Sequence, residues 1–341
     1  MESSWCAVLL ILVQVLLWIG ISKFPHIKHK KLVFIVLSFV SMWIFLAIRE
    51  PYSDMLSYEK YFYSLKPDNF EVAMQRGWEI FFKLLLYCIK MITSNAHVMR
   101  CIIAFLTLIG PFCFIKRYSK NYLLSIVMFI ALGTFYMQFF ILRQAIAISI
   151  FLLAFHFITD KKLIKYCLSI IAAALFHDTA IVLLLIYPIV NIPDSKVKKR
   201  VMGAITILSL VFSPLIIRLL TSSVYKEYAN GTFGDGMFLL AFYAVMYMIY
   251  AMMVRKVSCP KERKEIVATS LFTAFWQFFT IQNSVFCRMA NYTRDSFCIL
   301  IPNLAQELKG RRRVLFSALV VAACVCFVLA TGAFSWYNIL S

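Results

Sequence analysis

The stretch that decides the fold is YLLSIVMFIALGTFYMQFFILRQAIAISIFLLAFHFIT, residues 122–159. As a helix at 1.5 Å per residue it would measure about 57 Å, which is close to two crossings of a hydrocarbon layer about 30 Å thick. Basic residues flank it on both sides, over 116–120 and 161–165. The run is therefore predicted to form a membrane hairpin whose turn lies near its middle, at Arg143 and Gln144.

The rest of the chain has the same character. It is 62% hydrophobic and 15% charged, with a mean hydropathy of +0.82, whereas soluble domains carry about 25% charged residues. Backbone polar groups in lipid must be satisfied internally, and long continuous apolar runs favour helices over a barrel. The sequence predicts an all-α polytopic integral membrane protein, a single transmembrane domain over 1–341, with about 12 transmembrane helices.

The predicted spans follow the apolar runs. Residues 77–95 carry three charges, so we expect a re-entrant or interfacial helix there with its polar face on Glu79, Lys83 and Lys90. Residues 163–192 are predicted to form two short helices that meet at His177 and Asp178. The spans are 5–22, 32–48, 98–115, 122–142, 144–159, 163–177, 178–192, 201–220, 237–254, 265–283, 285–304 and 314–336.

The net charge of +19 is distributed unevenly. Of the 35 Lys and Arg residues, 23 lie in six clusters between spans. This asymmetry is the positive-inside signature, so it favours cytoplasmic basic loops over a nucleic-acid surface. Residues 5–22 are predicted to be a signal anchor, both termini are placed outside, and loops 49–76 and 221–236 lie on the outer face. The basic cytoplasmic loops are 23–31, 116–120, 160–165, 194–200, 255–264 and 305–313.

The ten cysteines indicate no special chemistry. They form no CxxC pair and no Cys/His ligand spacing, so neither a disulfide framework nor a zinc site is predicted. No Asp-x-Asp pair lies in a predicted outer loop. No cofactor is expected.

Two of the predicted turns carry ionisable residues at membrane depth, where such residues are functional candidates by default. Arg143 and Gln144 lie at the N-terminus of a returning helix, where backbone N–H groups favour an anion and a guanidinium can pair two oxygens. Arg143 is therefore predicted to bind phosphate, and His177 is a candidate proton carrier or phosphate donor. The structural alternatives are a snorkelling arginine and a helix cap at Asp178.

A third polar group lies in the span 285–304. Arg288, Tyr292 and Asp295 are spaced i, i+4 and i+7, which predicts one stripe along a single helix. The alternative is an internal Arg–Asp pair that stabilises a polar helix.

The outer loop 49–76 carries the last group of candidates. Arg49 and Asp54 lie near the end of a span, and Tyr58 follows Asp54 by four residues. A carboxylate beside an aromatic ring suits sugar binding and the acceptance of a hydroxyl proton. Glu50 and Glu59 are rivals for Asp54, and membrane anchoring is the alternative for the tyrosines. Loop 49–76, the two turns and the Arg288 segment are all predicted to open on the same, outer side.

At these residues the chain resembles the EpsG-type branch of the bacterial Wzy-type polysaccharide polymerases, which include the O-antigen and capsular polymerases. One departure is Met55, where an aromatic residue is expected after Asp54. The resembling segments, in family order, are Arg49…Asp54-Met55-Leu56-Ser57-Tyr58, Gly77-Trp78-Glu79, Leu142-Arg143-Gln144-Ala145-Ile146-Ala147, Ala174-Leu175-Phe176-His177 and Arg288…Tyr292.

The resemblance implies a GT-C-like multi-span glycosyltransferase. Because no Asp-x-Asp pair lies in an outer loop, a metal-independent reaction is the simpler interpretation. It would join undecaprenyl-diphosphate-linked oligosaccharide units, as donor and acceptor, into a surface polysaccharide on the outer face of the bacterial inner membrane. A chain-length regulator is a further implied partner, and nucleic acid is not. The implied catalytic residues are Arg143, His177, Asp54 and Arg288, with Asp54 or His177 as the base; the implied substrate-binding residues are Arg49, Tyr58, Gln144, Tyr292 and Glu79.

Other functions compete with this interpretation. A flippase for lipid-linked oligosaccharides also needs internal cations, but internal repeats and charges at mid-depth would be expected. A lipopolysaccharide-type ligase predicts a larger late outer loop than 221–236. A membrane acyltransferase predicts a histidine that is accessible from the cytoplasm, whereas His177 is placed outside.

Overall fold

The computed structural model describes residues 4–51, 54–132, 134–193, 263–280 and 285–331, with a few isolated positions between 195 and 248. Every regular element in these ranges is helical. Two of the elements are 3₁₀ helices, Asp178–Leu185 and Arg294–Ser296. The α-helices are α1 (Ser4–Lys23), α2 (Lys30–Ala47), α3 (Asp54–Ser64), α4 (Phe70–Met74), α5 (Ile80–Ile92), α6 (Ala96–Tyr118), α7 (Tyr122–Ala131), α8 (Thr134–Met137), α9 (Leu142–Ala154), α10 (His156–Thr159), α11 (Leu163–Ala174), α12 (Ile186–Asn191), α13 (Arg263–Thr280), α14 (Val285–Asn291), α15 (Phe297–Glu307) and α16 (Gly310–Thr331).

The described helices include five that are long and apolar enough to cross a membrane. They are Cys6–Lys23, Lys30–Ala47, Ala96–Tyr118, Leu142–Thr159 and Gly310–Leu329. An all-helical, multi-pass membrane protein is thereby supported, while the total of about twelve spans and the GT-C-like architecture stay predictions. The predicted spans 201–220 and 237–254, the loop 221–236 and residues 332–336 lie outside the described residues, save for isolated positions.

The 122–159 run breaks near its predicted turn, and it has further breaks before that turn; that its two parts form a membrane hairpin stays a prediction. α7 ends at Ala131, α8 is a single turn, and α9 begins at Leu142, so Arg143 is the second residue of the returning helix. Gln138 precedes the turn, and its Nε2 donates to the carbonyl of Thr107 at 3.4 Å. That carbonyl lacks its helical partner because Pro111, four residues later, has no N–H.

The returning helix α9 packs directly on α6. The backbone N–H of Gly110 donates to Ser149 Oγ at 2.9 Å. A Cβ atom at Gly110 would overlap the backbone of Ser149, so only glycine allows this approach. Small residues at such a crossing let helix backbones come close in a membrane protein, and the close packing fixes the position of the N-terminus of α9.

The segment 77–95 differs from the predicted interfacial helix in one respect. α5 spans 13 residues, which is about 20 Å and too short for a full crossing. Lys83 is buried, and its Nζ donates to the carbonyls of Met74 and Arg76 at 2.7 and 2.9 Å. The prediction that Lys83 lies on an exposed polar face is therefore wrong, because its ammonium group satisfies backbone carbonyls of the preceding loop.

A separate small core supports α3, α5 and the start of α9. Tyr58 and Phe62 of α3 pack with Phe82 and Leu86 of α5, and Leu142 of α9 joins them. These side chains are at most 2% exposed. The amphipathic α3 is thus held against the point where the 122–159 hairpin turns.

The two later segments divide differently. Residues 163–192 break after α11, and the 3₁₀ helix begins at Asp178, which agrees with the predicted boundary at His177 and Asp178. The predicted single helix over 285–304 is wrong, since α14 ends at Asn291 and a 3₁₀ helix covers 294–296 before α15 begins. The polar side chains of Thr293 and Ser296 bond to neighbouring hydroxyls in the interior, which helps to stabilise the interruption.

Candidate active site

The site forms around Glu79, immediately before α5. One carboxylate oxygen, Oε2, pairs with Nη1 of Arg143 on α9. The other, Oε1, lies 2.8 Å from Nδ1 of His177, at the turn between α11 and the 3₁₀ helix. The backbone N–H of Asp178 also points at Oε1, at 3.4 Å. Glu79 thus joins side chains that lie 64 and 98 residues away in the sequence.

Local structure explains why these three side chains meet. The backbone N–H of Phe81, in the first turn of α5, donates to the carbonyl of Leu175 at 3.0 Å. This bond docks the start of α5 on the turn that carries His177. Arg143 reaches the other carboxylate oxygen, Oε2, from the first turn of α9, which begins at Leu142. Two helix starts and one helix end therefore converge on a single carboxylate.

The ion pairs determine the protonation of Glu79. Burial alone would raise the pKa of Glu79, but the hydrogen bond from His177 and the charge of Arg143 outweigh burial and lower the pKa to about 2. Glu79 is therefore ionised at neutral pH and can only accept hydrogen bonds. Nδ1 of His177 must then donate in this contact, so Nε2 is the ring nitrogen that can act as a base.

Aromatic side chains surround the arginine. Nε of Arg143 donates to the hydroxyl of Tyr58 at 3.3 Å, and its guanidinium carbon lies 5.7 Å from the centre of the Trp78 ring. Tyr58 also packs edge-on against Trp78 and Phe82, with ring centres 5.0 Å away in each case. Burial raises the pKa of Tyr58, although Arg143 opposes this, so Tyr58 remains a neutral donor and acceptor. The arginine is held in one orientation.

Three ligand atoms in the site are close enough to hold a cation. One atom each from Glu79, His177 and Asp178 lie within 4.8 Å of one another. Two features count against a resident metal: Glu79 is already paired with the positive charge of Arg143, and Asp178 Oδ1 accepts the N–H of Thr179 at 2.6 Å. Glu79, His177 and Asp178 are therefore better suited to a network of ion pairs and hydrogen bonds than to a metal centre.

Two other predicted residues join the site through polar links. Gln144 donates from Nε2 to the backbone carbonyl of Arg288 at 2.5 Å. Tyr292 is fully buried and its hydroxyl lies 2.9 Å from Thr179 Oγ1. The Arg143 turn, the His177 turn and the Arg288 segment, which were predicted to share one side of the membrane, are thus in contact. The contact at Arg288 is made by its backbone carbonyl and not by its guanidinium group. The predicted stripe of Arg288, Tyr292 and Asp295 on one helix is wrong, because the helix ends between the first two residues.

Two further predicted residues, Asp54 and Arg49, are each placed by other contacts. The charge of Asp54 acts on Tyr58 of the network. Asp54 is exposed at the N-terminus of α3 and forms no ion pair within the described residues. Arg49 is 2% exposed, its Nη1 donates to the carbonyl of Leu46 at 2.9 Å, and its guanidinium carbon lies 5.3 Å from the Phe139 ring centre. This contact ties the end of α2 to the segment before α9.

Sequence reasoning misses two side chains next to the network. Trp78 lies in the Gly77-Trp78-Glu79 segment that carries the family resemblance, yet nothing in the sequence gives it a role. Arg76 lies against the same ring, 4.5 Å from its centre. Arg and Trp residues are both common at membrane interfaces. The sequence alone therefore does not distinguish Arg76 and Trp78 from ordinary membrane anchors, and only their contacts in the fold do.

The fold and the buried ionic network define a polytopic membrane protein with an active-site-like polar cluster between short helices. The sequence profile of the EpsG family matches residues 32–340. The chain therefore belongs to the EpsG family, a Wzy-type polymerase-like family, and the membership indicates a polymerase-like role in polysaccharide synthesis at a membrane. No curated protein matches the chain, and no solved structure matches it.

Proposed function

We propose that this protein joins oligosaccharide units carried on undecaprenyl diphosphate into a surface polysaccharide, on the outer face of the bacterial inner membrane. The observation that carries the proposal is the Glu79 carboxylate, which holds an arginine and a histidine together. Transfer of a sugar from a lipid diphosphate needs a cation for the leaving group and a base for the acceptor hydroxyl. Arg143 and His177 provide these two functions side by side.

In the proposed reaction the acceptor hydroxyl oxygen attacks the anomeric carbon of the donor. The bond between that carbon and the diphosphate oxygen breaks, and its electron pair stays on the diphosphate. Nε2 of His177 takes the hydroxyl proton, while Glu79 accepts a hydrogen bond from Nδ1 and stabilises the imidazolium that forms. Arg143 stabilises the charge that develops on the diphosphate.

Arg143 has capacity for this role although it is paired. Its contacts within the described residues use Nε and Nη1, so the N–H groups of Nη2 are available to a substrate. Its side chain keeps 23% of its surface exposed, compared with 8% for His177. The contacts with Glu79 and Tyr58 orient the guanidinium group of Arg143 before substrate binds. Such preorganisation lowers the activation barrier of the reaction.

The test is polysaccharide analysis by gel in the host, with the gene deleted and complemented by wild type, Arg143→Ala or Arg100→Ala. Arg100 is a matched control because it forms a comparably buried ion pair, with Glu59, between α6 and α3. We expect Arg143→Ala to lose the long ladder, by roughly 10²–10³ in rate, and to accumulate single lipid-linked units on the outer face. Arg100→Ala should retain the ladder.

Two outcomes count against the proposal. Repeat units trapped on the inner face would indicate a flippase instead. A ladder that is unchanged in the deletion strain would remove both functions. Immunoblots of membrane fractions establish that each variant reaches the membrane in equal amount, so that loss of the ladder reports on activity.

A further inference from the structure

A second arginine lies beside the site. The guanidinium carbon of Arg76 is 4.5 Å from the centre of the Trp78 ring, and that of Arg143 is 5.7 Å from the same centre. Arg76 is exposed and forms no ion pair within the described residues, unlike Arg143, which pairs with Glu79. Two guanidinium groups therefore lie against the Trp78 ring, and that of Arg76 has no ion-pair partner in the part of the chain that the structure describes.

The loop that carries Arg76 is built to hold it in place. The buried ammonium group of Lys83 donates to the carbonyl of Arg76 itself, and also to that of Met74. The hydroxyl of Tyr61 bonds to the carbonyl of Ala73, and the Tyr61 ring packs 5.1 Å from Trp78, centre to centre. The position of Arg76 is thus fixed twice: a hydrogen bond holds its backbone carbonyl, and the Trp78 ring packs against its guanidinium group.

The charges of the site show why a second arginine matters. Glu79 compensates Arg143, and the exposed carboxylate of Asp178 lies close to Glu79. Without Arg76 this network has no excess of positive charge, although a lipid diphosphate brings several negative charges. Guanidinium groups bind phosphate oxygens in pairs, and two of them on one ring can engage both phosphates of a diphosphate.

We propose that Arg76 and Arg143, both held against Trp78, form a two-arginine site for the diphosphate group of the lipid-linked donor. Arg76 supplies the uncompensated charge that binds the ground-state diphosphate. Arg143, fixed by Glu79 and Tyr58, acts on the bond that breaks. This inference rests on the proposed function and extends it to a residue outside the family-resembling segments.

The test measures binding of undecaprenyl diphosphate, and of undecaprenol as the phosphate-free control, to the purified full-length protein in nanodiscs of zwitterionic lipid. The variants are Arg76→Ala and Arg76→Lys. Lys90→Ala is the matched control, because Lys90 is another cation on an aromatic ring, 5.0 Å from the centre of Phe62. We expect Arg76→Ala to bind undecaprenyl diphosphate about tenfold or more weakly, with undecaprenol binding unchanged.

The variants separate recognition from a packing role. Arg76→Lys keeps the positive charge but loses the paired N–H donors of the guanidinium group. Its affinity for undecaprenyl diphosphate should therefore lie between those of the wild type and Arg76→Ala. Lys90→Ala should bind like the wild type. Unchanged undecaprenyl diphosphate affinity in Arg76→Ala overturns the inference, and so does an equal loss of undecaprenol affinity. If the wild type itself does not distinguish the two lipids, the proposed function fails, whatever Arg76 does.

Discussion

Two clusters of polar side chains lie within this apolar protein, and their surroundings differ. In the first, Glu79 and Arg143 are partly exposed and His177 is 6% exposed. In the second, Arg294 and Asp295 are 1% and 3% exposed. Both clusters contain an arginine and a carboxylate, so sequence composition does not distinguish them. Their exposure to solvent does distinguish them, because only the first cluster is accessible to a substrate.

The way the polar atoms are satisfied differs as well. Both carboxylate oxygens of Glu79 have partners. In the second cluster, Asp295 Oδ1 and Gln138 Oε1 have no partner within the described residues, and both residues line a small cavity with Thr134 and Asn291. Unpartnered buried acceptors are costly, and a cavity with several polar groups suits an ordered water. The first cluster is suited to binding, and the second to specifying how the helices pack.

Matched substitutions of the two arginines give the largest expected effect. Arg294→Met removes a buried guanidinium that donates to the carbonyl of Leu132 at 3.4 Å and lies near the buried Asp295, and loss of such buried, charged hydrogen bonds costs about 1.5–3 kcal/mol. Arg143→Met breaks a partly exposed pair, and because Glu79 keeps its contact with His177 it should destabilise the fold less than Arg294→Met does, while it abolishes polymer formation. The measurement is the folded fraction that survives heating in detergent, followed by fluorescence-detected size-exclusion chromatography.

The opposite result for either arginine would change the assignment of its cluster. If Arg143→Met unfolds as readily as Arg294→Met, the first cluster is a packing element and its loss of activity has no functional meaning. If Arg294→Met is stable but inactive, the second cluster takes part in the reaction.

Length and charge rules predicted the positions of two breaks between helices. The turn of 122–159 near Arg143 and the break at His177 and Asp178 follow from the thickness of a bilayer and from basic loops, which are local properties of the sequence. The interruption after Asn291 was not predictable in the same way. The i, i+4, i+7 spacing assumes a continuous helix, whereas buried hydroxyl contacts across helices, such as Thr273 with Thr293, support a break.

Sequence reasoning named Arg143, His177 and Glu79 as candidates, but it did not predict that Glu79 lies between the other two. Arg143 and His177 stand out because each interrupts an apolar run. Glu79 lies in a segment that is ambiguous in itself, and its role depends on contacts with residues 64 and 98 positions away. Only tertiary packing of the short α5 creates those contacts. The same reason explains why sequence reasoning misses Arg76 and Trp78.

Glu79→Gln sharpens the comparison at the first cluster. Because the pKa of Glu79 is lowered from 4.5 to about 2 in the folded protein, its ionised form stabilises the fold. That stabilisation is fully present above about pH 4.5 and is lost as the pH falls towards 2. The thermal midpoint of the wild type should therefore exceed that of Glu79→Gln by a constant amount from about pH 8 to 5, and the gap should close below about pH 4.5.

Activity gives a second measure of the same variant. The neutral amide that Glu79→Gln introduces cannot stabilise an imidazolium, so polymer formation should fall by about 10²-fold, while the alkaline side of the pH profile keeps its shape. A gap in thermal midpoint that closes near neutral pH instead would mean that Glu79 titrates there, and it would make Glu79 itself the candidate base.

The smallest expected effect concerns the hydrogen bond between the hydroxyls of Tyr292 and Thr179, 2.9 Å apart, which links the two clusters. Both side chains are buried. A double-mutant cycle with Tyr292→Phe and Thr179→Val should give a coupling of about 1 kcal/mol in the free energy of unfolding. Tyr166→Phe is the control, because the hydroxyl of Tyr166 bonds to the backbone carbonyl of Leu183 at 2.6 Å, away from the site.

The activity of Tyr292→Phe decides whether the two clusters are separate. Tyr292 is fully buried, so it cannot touch a substrate in this conformation, and its hydroxyl acts only through Thr179 and the His177 turn. A positioning effect of that kind predicts less than about a tenfold loss of activity. If the loss exceeds about a hundredfold with stability nearly unchanged, the hydroxyl contacts the reacting groups, as expected for a substrate-binding residue. The binding site would then extend from Arg143 into the second cluster, and exposure in the unliganded protein would no longer be a sufficient criterion for separating the two.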